Sequence, residues 1–235
     1  EAAPSSAQAH SPPGRVLPSR GDSGAAESPF REVLRLNPRA AAAQVELSRL
    51  QLTAGDTAGS LRRAEEAAKN QPRALETRIG LVRSAIAAGD LDRAAREVDA
   101  LRAEQPDAPQ VHSQAGTLAL QRNDVQGARV AFDRALELDP QSIEALSGRI
   151  AVDLRAKDVP AARARIERRL QREPSTDVLL LAARTYMATN DVDATERVLR
   201  RAIDADPSVL PPYAMLGQIY MRQRKLDEAR AEFDA

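Results

Sequence analysis

Proline recurs at positions 38, 72, 106, 140 and 174, each 34 residues after the last, and again at 207 after a step of 33. A second series keeps the same step: Asp56, Asp90, Asp124 and Asp158, then Asp191 after 33. Two independent marks on one period constrain the fold strongly. A unit of this length cannot bury an apolar face alone, so the chain must stack copies of one small motif against each other.

The residues around the two marks define the motif. Each Asp ends a short turn signal, "AGD" twice, then "RND", "AKD" and "TND". Gly55, Gly89, Asn123 and Asn190 tolerate the positive φ of a helix stop, and the Asp side chain can cap the helix that follows. Lys157 breaks the rule and costs about 1 kcal/mol there. Each proline closes a second helix, because it restricts the residue before it and has no N–H to donate. The predicted unit is helix, tight turn, helix, proline loop, and the predicted fold is all-α. Composition agrees: 43% of the 235 residues are apolar, but there are only three Phe, three Tyr and no Trp. The core must therefore come from closely approaching helices. Small residues at Ser48, Gly116, Ala183 and Gly217, and at Ser60, Ala94, Ala128, Ala162 and Ala229, permit that approach. Leu81, Val98, Phe132, Ile166 and Phe233 are expected to fill the gaps between units.

These slots resemble the tetratricopeptide repeat, with its Trp-x2-Leu-Gly-x2-Tyr, Ala-x3-Phe and Pro signature. Tyr213, Leu216, Gly217, Tyr220, Ala229 and Phe233 match it best. His112, Ala115, Gly116, Ala119, Ala128, Phe132 and Pro140 repeat the pattern, as do Leu179, Ala182, Ala183, Tyr186, Thr195 and Pro207. Leu47, Ser48, Ser60 and Pro72, and Leu81, Ala94 and Pro106, are more degenerate copies. The resemblance implies a right-handed α-solenoid of about five and a half units, at 41–74, 75–108, 109–142, 143–175, 176–209 and an incomplete 210–235. Ahead of them, residues 1–27 are Pro- and Ser-rich and read as a flexible linker, with a capping helix of a degenerate repeat at 28–40 that starts on Ser28 and Pro29. The "RGD" at 20–22 reads as the remnant of a turn. The last unit stops inside its second helix, which predicts a truncated chain or an array that continues.

Several function classes find no support. Lys+Arg and Asp+Glu are 34 each and interspersed, so there is no electrostatic footprint for nucleic acid or an anionic membrane. There is no Cys and there are two His, His10 and His112, so thiol chemistry, a metal site and a catalytic triad lack their residues. His112 stands in a bulky packing slot and reads as a satisfied interface residue. No Gly-rich phosphate loop occurs. The expectation is a non-enzyme with no catalytic residues, no metal and no cofactor. No apolar run is long enough to cross a membrane, which predicts a soluble protein. Of the basic residues only Lys69, Lys157 and Lys225 are Lys, a bias that suggests a GC-rich bacterial genome and hence the bacterial cytoplasm or periplasm. A leader or lipid anchor upstream of residue 1 is left open.

Two sets of residues stand out. In the fourth unit Arg149 and Asp153 occupy the slots that hold Leu and Tyr elsewhere, and Arg169 stands where the second helix normally offers Ala. A polar ligand pocket is one reading; the favoured one is an internal Arg–Asp–Arg network, since buried charge needs pairing. The second set follows from the resemblance, which implies that first helices line a concave groove. The slot after each Tyr position holds Leu52, Ile86, Leu120, Leu154, Met187 and Met221, apolar in every unit. Three residues earlier stand Arg49, Arg83, Thr117, Ala151, Arg184 and Gln218. The groove residues expected to bind are Arg49, Leu52, Arg83, Ile86, Leu120, Leu154, Arg184, Met187, Gln218 and Met221. The Lys/Asn carboxylate clamp of chaperone-binding relatives has no counterpart in these slots. The expected function is a protein-binding scaffold or adaptor holding an acidic, amphipathic peptide or helix. The alternatives are an interaction arm of a larger enzyme or of a secretion or envelope assembly, and a structural protein that self-assembles through its C-terminal end.

Overall fold

The computed structural model describes residues 20–172 and 174–234; the part of the expected linker before residue 20, with His10, lies outside them. Among the described residues there are thirteen helices and no strand, an all-α helical repeat solenoid. The chain divides into two compact units, Glu1–Gly80 and Leu81–Ala235.

The first unit holds α1 (Arg20–Leu36), α2 (Ala41–Thr53) and α3 (Thr57–Asn70). α2 and α3 form a hairpin whose backbones approach through small residues: the Ser48 and Ser60 hydroxyls meet at 2.9 Å, and Ala64 and Ala67 are fully buried. Asp56 caps α3 by accepting the Gly59 amide at 2.8 Å. α1 differs from the sequence expectation. It begins at Arg20, so the "RGD" lies in its first turn, and Ser28 and Pro29 sit inside it. The internal proline removes one helical hydrogen bond. Glu27 and Arg31 bracket it one turn apart, joined by a 2.5 Å ion pair that helps the helix run through.

In sequence α4 (Leu75–Ala88) spans the boundary. The second unit continues with α5 (Leu91–Glu104), α6 (Pro109–Gln121), α7 (Val125–Leu138), α8 (Ile143–Arg155), α9 (Val159–Leu170), α10 (Thr176–Ala188), α11 (Val192–Ala205), α12 (Leu210–Arg222) and α13 (Leu226–Asp234). The turn chemistry read from the sequence holds. Asn123, Lys157 and Asn190 adopt φ of 63°, 60° and 57°, and Gly89 adopts 82°. Asp90, Asp124, Asp158 and Asp191 accept the amides of Arg93, Gly127, Ala161 and Ala194 at 3.2, 2.8, 3.0 and 3.0 Å. The sixth turn departs: Arg224 takes the positive φ, 61°, and the position of the capping Asp is Lys225. An ammonium cannot accept an amide hydrogen bond. It lies instead 5.7 Å from the centre of the Tyr220 ring.

The proline loops are also tied down by side chains. In the second unit His112 Nε2 lies 2.7 Å from the Pro106 carbonyl and Tyr213 Oη donates to that of Pro207 at 3.2 Å; Gln44 does the same for Pro38 in the first. A carbonyl only accepts, so Nε2 of His112 carries the proton. Phe132 is buried between two first helices because both are Gly there: a Cβ would stand 2.8 Å from its ring at Gly116 and 2.1 Å at Gly148. The larger core joins α8 to α13 through residues such as Ile150, Ile166, Leu179, Tyr186 and Leu216. Phe233, expected as a gap filler, lies over Gly217 yet stays 53% exposed. No described helix is long and apolar enough to cross a membrane.

Candidate functional site

The apolar series on the first helices is not uniform. In the first unit Leu52 is half-buried and Arg49 is exposed but paired with Glu46 at 2.7 Å. In the second unit Ile86 is 8% exposed, so it is a core residue with little surface to offer, contrary to its place in the expected groove. Leu120 and Leu154 are half-buried, and each packs on a core cluster, the first on that of Phe132 and Val152, the second on the larger one. Met187 is half-buried and Met221 is 48% exposed. Apolar surface on this row therefore increases from α4 towards α12.

The row three residues earlier differs along its length in which polar groups are already paired. Arg83 donates to Glu144 Oε1 at 3.1 Å, and the same oxygen accepts Gln114 Nε2 at 2.7 Å. Thr117 donates to the Ser113 carbonyl at 3.0 Å. Ala151 is exposed, and so are Arg184 and Gln218, which make no hydrogen bond or ion pair among the described residues. Two of the three arginines expected to await a ligand are thus already paired inside the chain. The sequence could have hinted at this, since Glu76, Glu144 and Asp177 each stand in the first turn of a first helix, an acidic row seven residues before the basic one.

The buried network of the fourth unit exists, with a different third member. Arg149 and Asp153 are 4% and 1% exposed and bonded to each other one turn apart. Arg149 also donates to Asp133 at 2.8 Å, and Asp153 accepts from Arg165 at 2.6 Å. The chain Asp133–Arg149–Asp153–Arg165 alternates in sign and sums to zero, which is what two desolvated charges require. Arg169, expected in it, is half-buried and has no part in it. The reason is register: Asp153 is five residues before Asp158, so its partner on an antiparallel helix must lie a similar distance after it. Arg165 is seven residues beyond Asp158, and Arg169 is eleven. Asp133 belongs to the preceding hairpin and no local pattern marked it.

A cleft of about 220 Å³ lies where the α10–α11 turn meets the end of α12, lined by Met187, Val192 and Ile219, with exposed Asn190, Arg222 and Gln223 at its lip. Only Met187 of these was expected in a site. Beside it the carboxyl of Asp191 is held below the usual carboxylate range, first by the Ala194 amide and then by the Arg163 guanidinium at 2.6 Å. Among the described residues no cluster of three or more His, Asp or Glu side chains could hold a metal ion.

Comparison with known proteins places this architecture. The sequence profile of the tetratricopeptide repeat matches residues 14–76, 79–143 and 180–235, and the chain belongs to that family. Such repeats typically serve as protein–protein interaction scaffolds and bind other proteins or peptides. The stretch without a match, 144–179, contains Arg149 and Asp153. Among solved structures, a thermophilic tetratricopeptide repeat protein of Thermus thermophilus is 17% identical, with a TM-score of 0.61 over 74% of this chain and 95% of that one. A tetratricopeptide repeat protein of Parabacteroides merdae is 17% identical, with a TM-score of 0.58 over 92% of this chain and 86% of that one. A chain of the APC/C hetero-tetramer Cut9–Hcn1 is 14% identical, with a TM-score of 0.67 over 94% of this chain and 42% of that one. At these identities the likeness is one of fold. No curated protein matches the sequence.

Proposed function

We propose that this chain is a non-catalytic scaffold that holds an acidic, amphipathic peptide or helix of a partner protein along the first helices of its second unit, from α6 to α12. The observation that carries this reading is the gradient on those helices. At the α4 end Ile86 is buried and Arg83 is paired; at the α12 end Met187, Met221, Arg184 and Gln218 keep apolar surface and unpaired polar groups side by side. Apolar area gives the affinity, at about 25 cal/mol per Å² buried. Rim arginines set orientation and on-rate. The Arg83–Glu144 pair does not close the surface to a ligand, because both side chains are about 40% exposed and such a pair contributes only ~0–1 kcal/mol.

The test is capture from the source cell on the immobilised chain, with Ala151→Glu/Gln218→Glu/Met221→Gln as comparison. All three positions are exposed, so the fold should be unchanged. The partner should bind the parent and lose about tenfold on the variant. Equal capture by both would end the reading. A second reading, association of two copies through α13, draws on Leu226 and Phe233, which are 68% and 53% exposed. Light scattering over a concentration series decides it.

A further inference from the structure

We propose that the cleft between the α10–α11 turn and α12 is the anchor of this binding surface, taking one aliphatic side chain of a partner segment that carries an acidic residue on each side of it. The inference rests on the groove reading and adds the chemistry that selects the ligand.

The size argues for a single side chain. At about 220 Å³ the cleft is smaller than the ~300–1,000 Å³ of sites that enclose drug-sized molecules. Its lining is buried Ile219 and Thr195, whose hydroxyl donates to the Asp191 carbonyl at 2.7 Å, with half-buried Val192 and Met187, and a methionine adapts its shape to what enters. The lip supplies the polar selection. Asn190 is displayed from a turn fixed at φ 57°, with its amide bonded to the Met187 carbonyl at 3.1 Å. Arg222 stands in the last turn of α12, where the helix dipole favours a cation. Neither side chain, nor that of Gln223, has a partner among the described residues. Asp191, in the same turn as Asn190, is committed to Arg163 and to the cap of α11.

One turn before Met187 stands Arg184, also unpaired and exposed. One free guanidinium at the lip and a second one turn before Met187, with no carboxylate in the lining, complement two carboxylates flanking one aliphatic group. A chain terminus would supply only one, so acidic side chains are the source that fits. Elsewhere on the same row the protein supplies the counter-charge itself, through Glu144 at Arg83.

The protein contains three methionines, Met187, Met215 and Met221, and carbon-13 labelling of their methyls gives three reporters. Met187 lines the cleft, Met221 is on the exposed row, and Met215 packs against the core. The probes are three blocked peptides: acetyl-Glu-Leu-Glu-amide, its Gln-Leu-Gln counterpart, and acetyl-Gln-Leu with a free carboxylate. The acidic amide should shift Met187 saturably and leave Met215 in place. The neutral peptide should bind about fivefold more weakly, the scale of two weak exposed ion pairs together. Arg222→Gln should reduce that preference to about twofold, and Arg184→Gln with Arg222→Gln should erase it, both keeping the Met187 shift. A silent Met187 removes the anchor, equal binding of acidic and neutral peptides removes the acidic selection, and preference for the free carboxylate moves the source to a chain terminus; each overturns the proposal. Because none of the groove variants touches the cleft lining, a silent Met187 with partner capture still sensitive to those variants would sink the anchor alone.

Discussion

The α6–α7 and α8–α9 hairpins share one geometry and differ in the chemistry they bury. In the first, Phe132 fills the space between successive first helices, and glycines at 116 and 148 make room for its ring. In the second, the positions 34 residues after Gly116 and Phe132 hold Ile150 and Ile166, both buried, and beside them Arg149 and Asp153 build a chain of four alternating charges. Both hairpins keep the same turn, a positive-φ residue followed by a capping Asp. The repeat therefore fixes where a side chain must reach, and leaves open what it is made of, provided every buried charge is paired. The family profile runs through the first hairpin and has no match over the second.

The comparison breaks most visibly at Asp153. Asp153→Ala leaves Arg149 and Arg165 short of their shared acceptor and should cost about 3–5 kcal/mol in urea unfolding. A midpoint within a degree or two of the parent on heating would mean that these charges are solvated. Next is Gly148→Ala, whose new methyl would meet the Phe132 ring; overpacking should cost about 1–3 kcal/mol, and a neutral result would show that the ring can move aside. At the sixth turn, Arg224→Gly with Lys225→Asp supplies the left-handed Gly of two other turns and the capping Asp of all five. It should add about 0.5–2 kcal/mol of local stability, read as slower amide exchange across α13. Restoring the family's slots by Arg149→Leu with Asp153→Tyr should be nearly neutral, within about 1 kcal/mol, since Asp133 and Arg165 are partly exposed and can be hydrated. Strong destabilisation there would show that the charges do more than fill space.

The smallest effect concerns Asp191, the half-buried carboxylate of the α10–α11 turn. Its carboxyl is held below the ordinary range, so it favours the folded state above about pH 4, and that contribution fades as pH falls through the folded value. The stability gap between the parent and Asp191→Asn should be flat at neutral pH and narrow below about pH 4. A gap that persists into acid would assign the effect to the cap geometry alone.

What the sequence determined was local. The proline stops and the capping Asp residues act within three or four residues of chain, and the 34-residue period repeats them together with the small slots, so spacing alone reveals them. Even Lys157 at a strained turn was legible, because the period puts it where Gly or Asn belongs. The N-terminal helix was misread: Ser28 and Pro29 look like a start, while α1 runs across them from Arg20, with the Glu27–Arg31 pair spanning the proline. What the tertiary structure decided were pairings across helices. Arg165 replaces Arg169 because register in an antiparallel hairpin is counted from its turn. Arg83 finds Glu144 sixty-one residues away, and Gln114 joins them, because first helices of separate units lie side by side. Burial of Ile86 against exposure of Met221 likewise depends on what packs beside each helix. A single chain's spacing records which residues share a helix face, but the free energy of a charge or an apolar group depends on what replaces water around it, and those neighbours arrive only when the units stack.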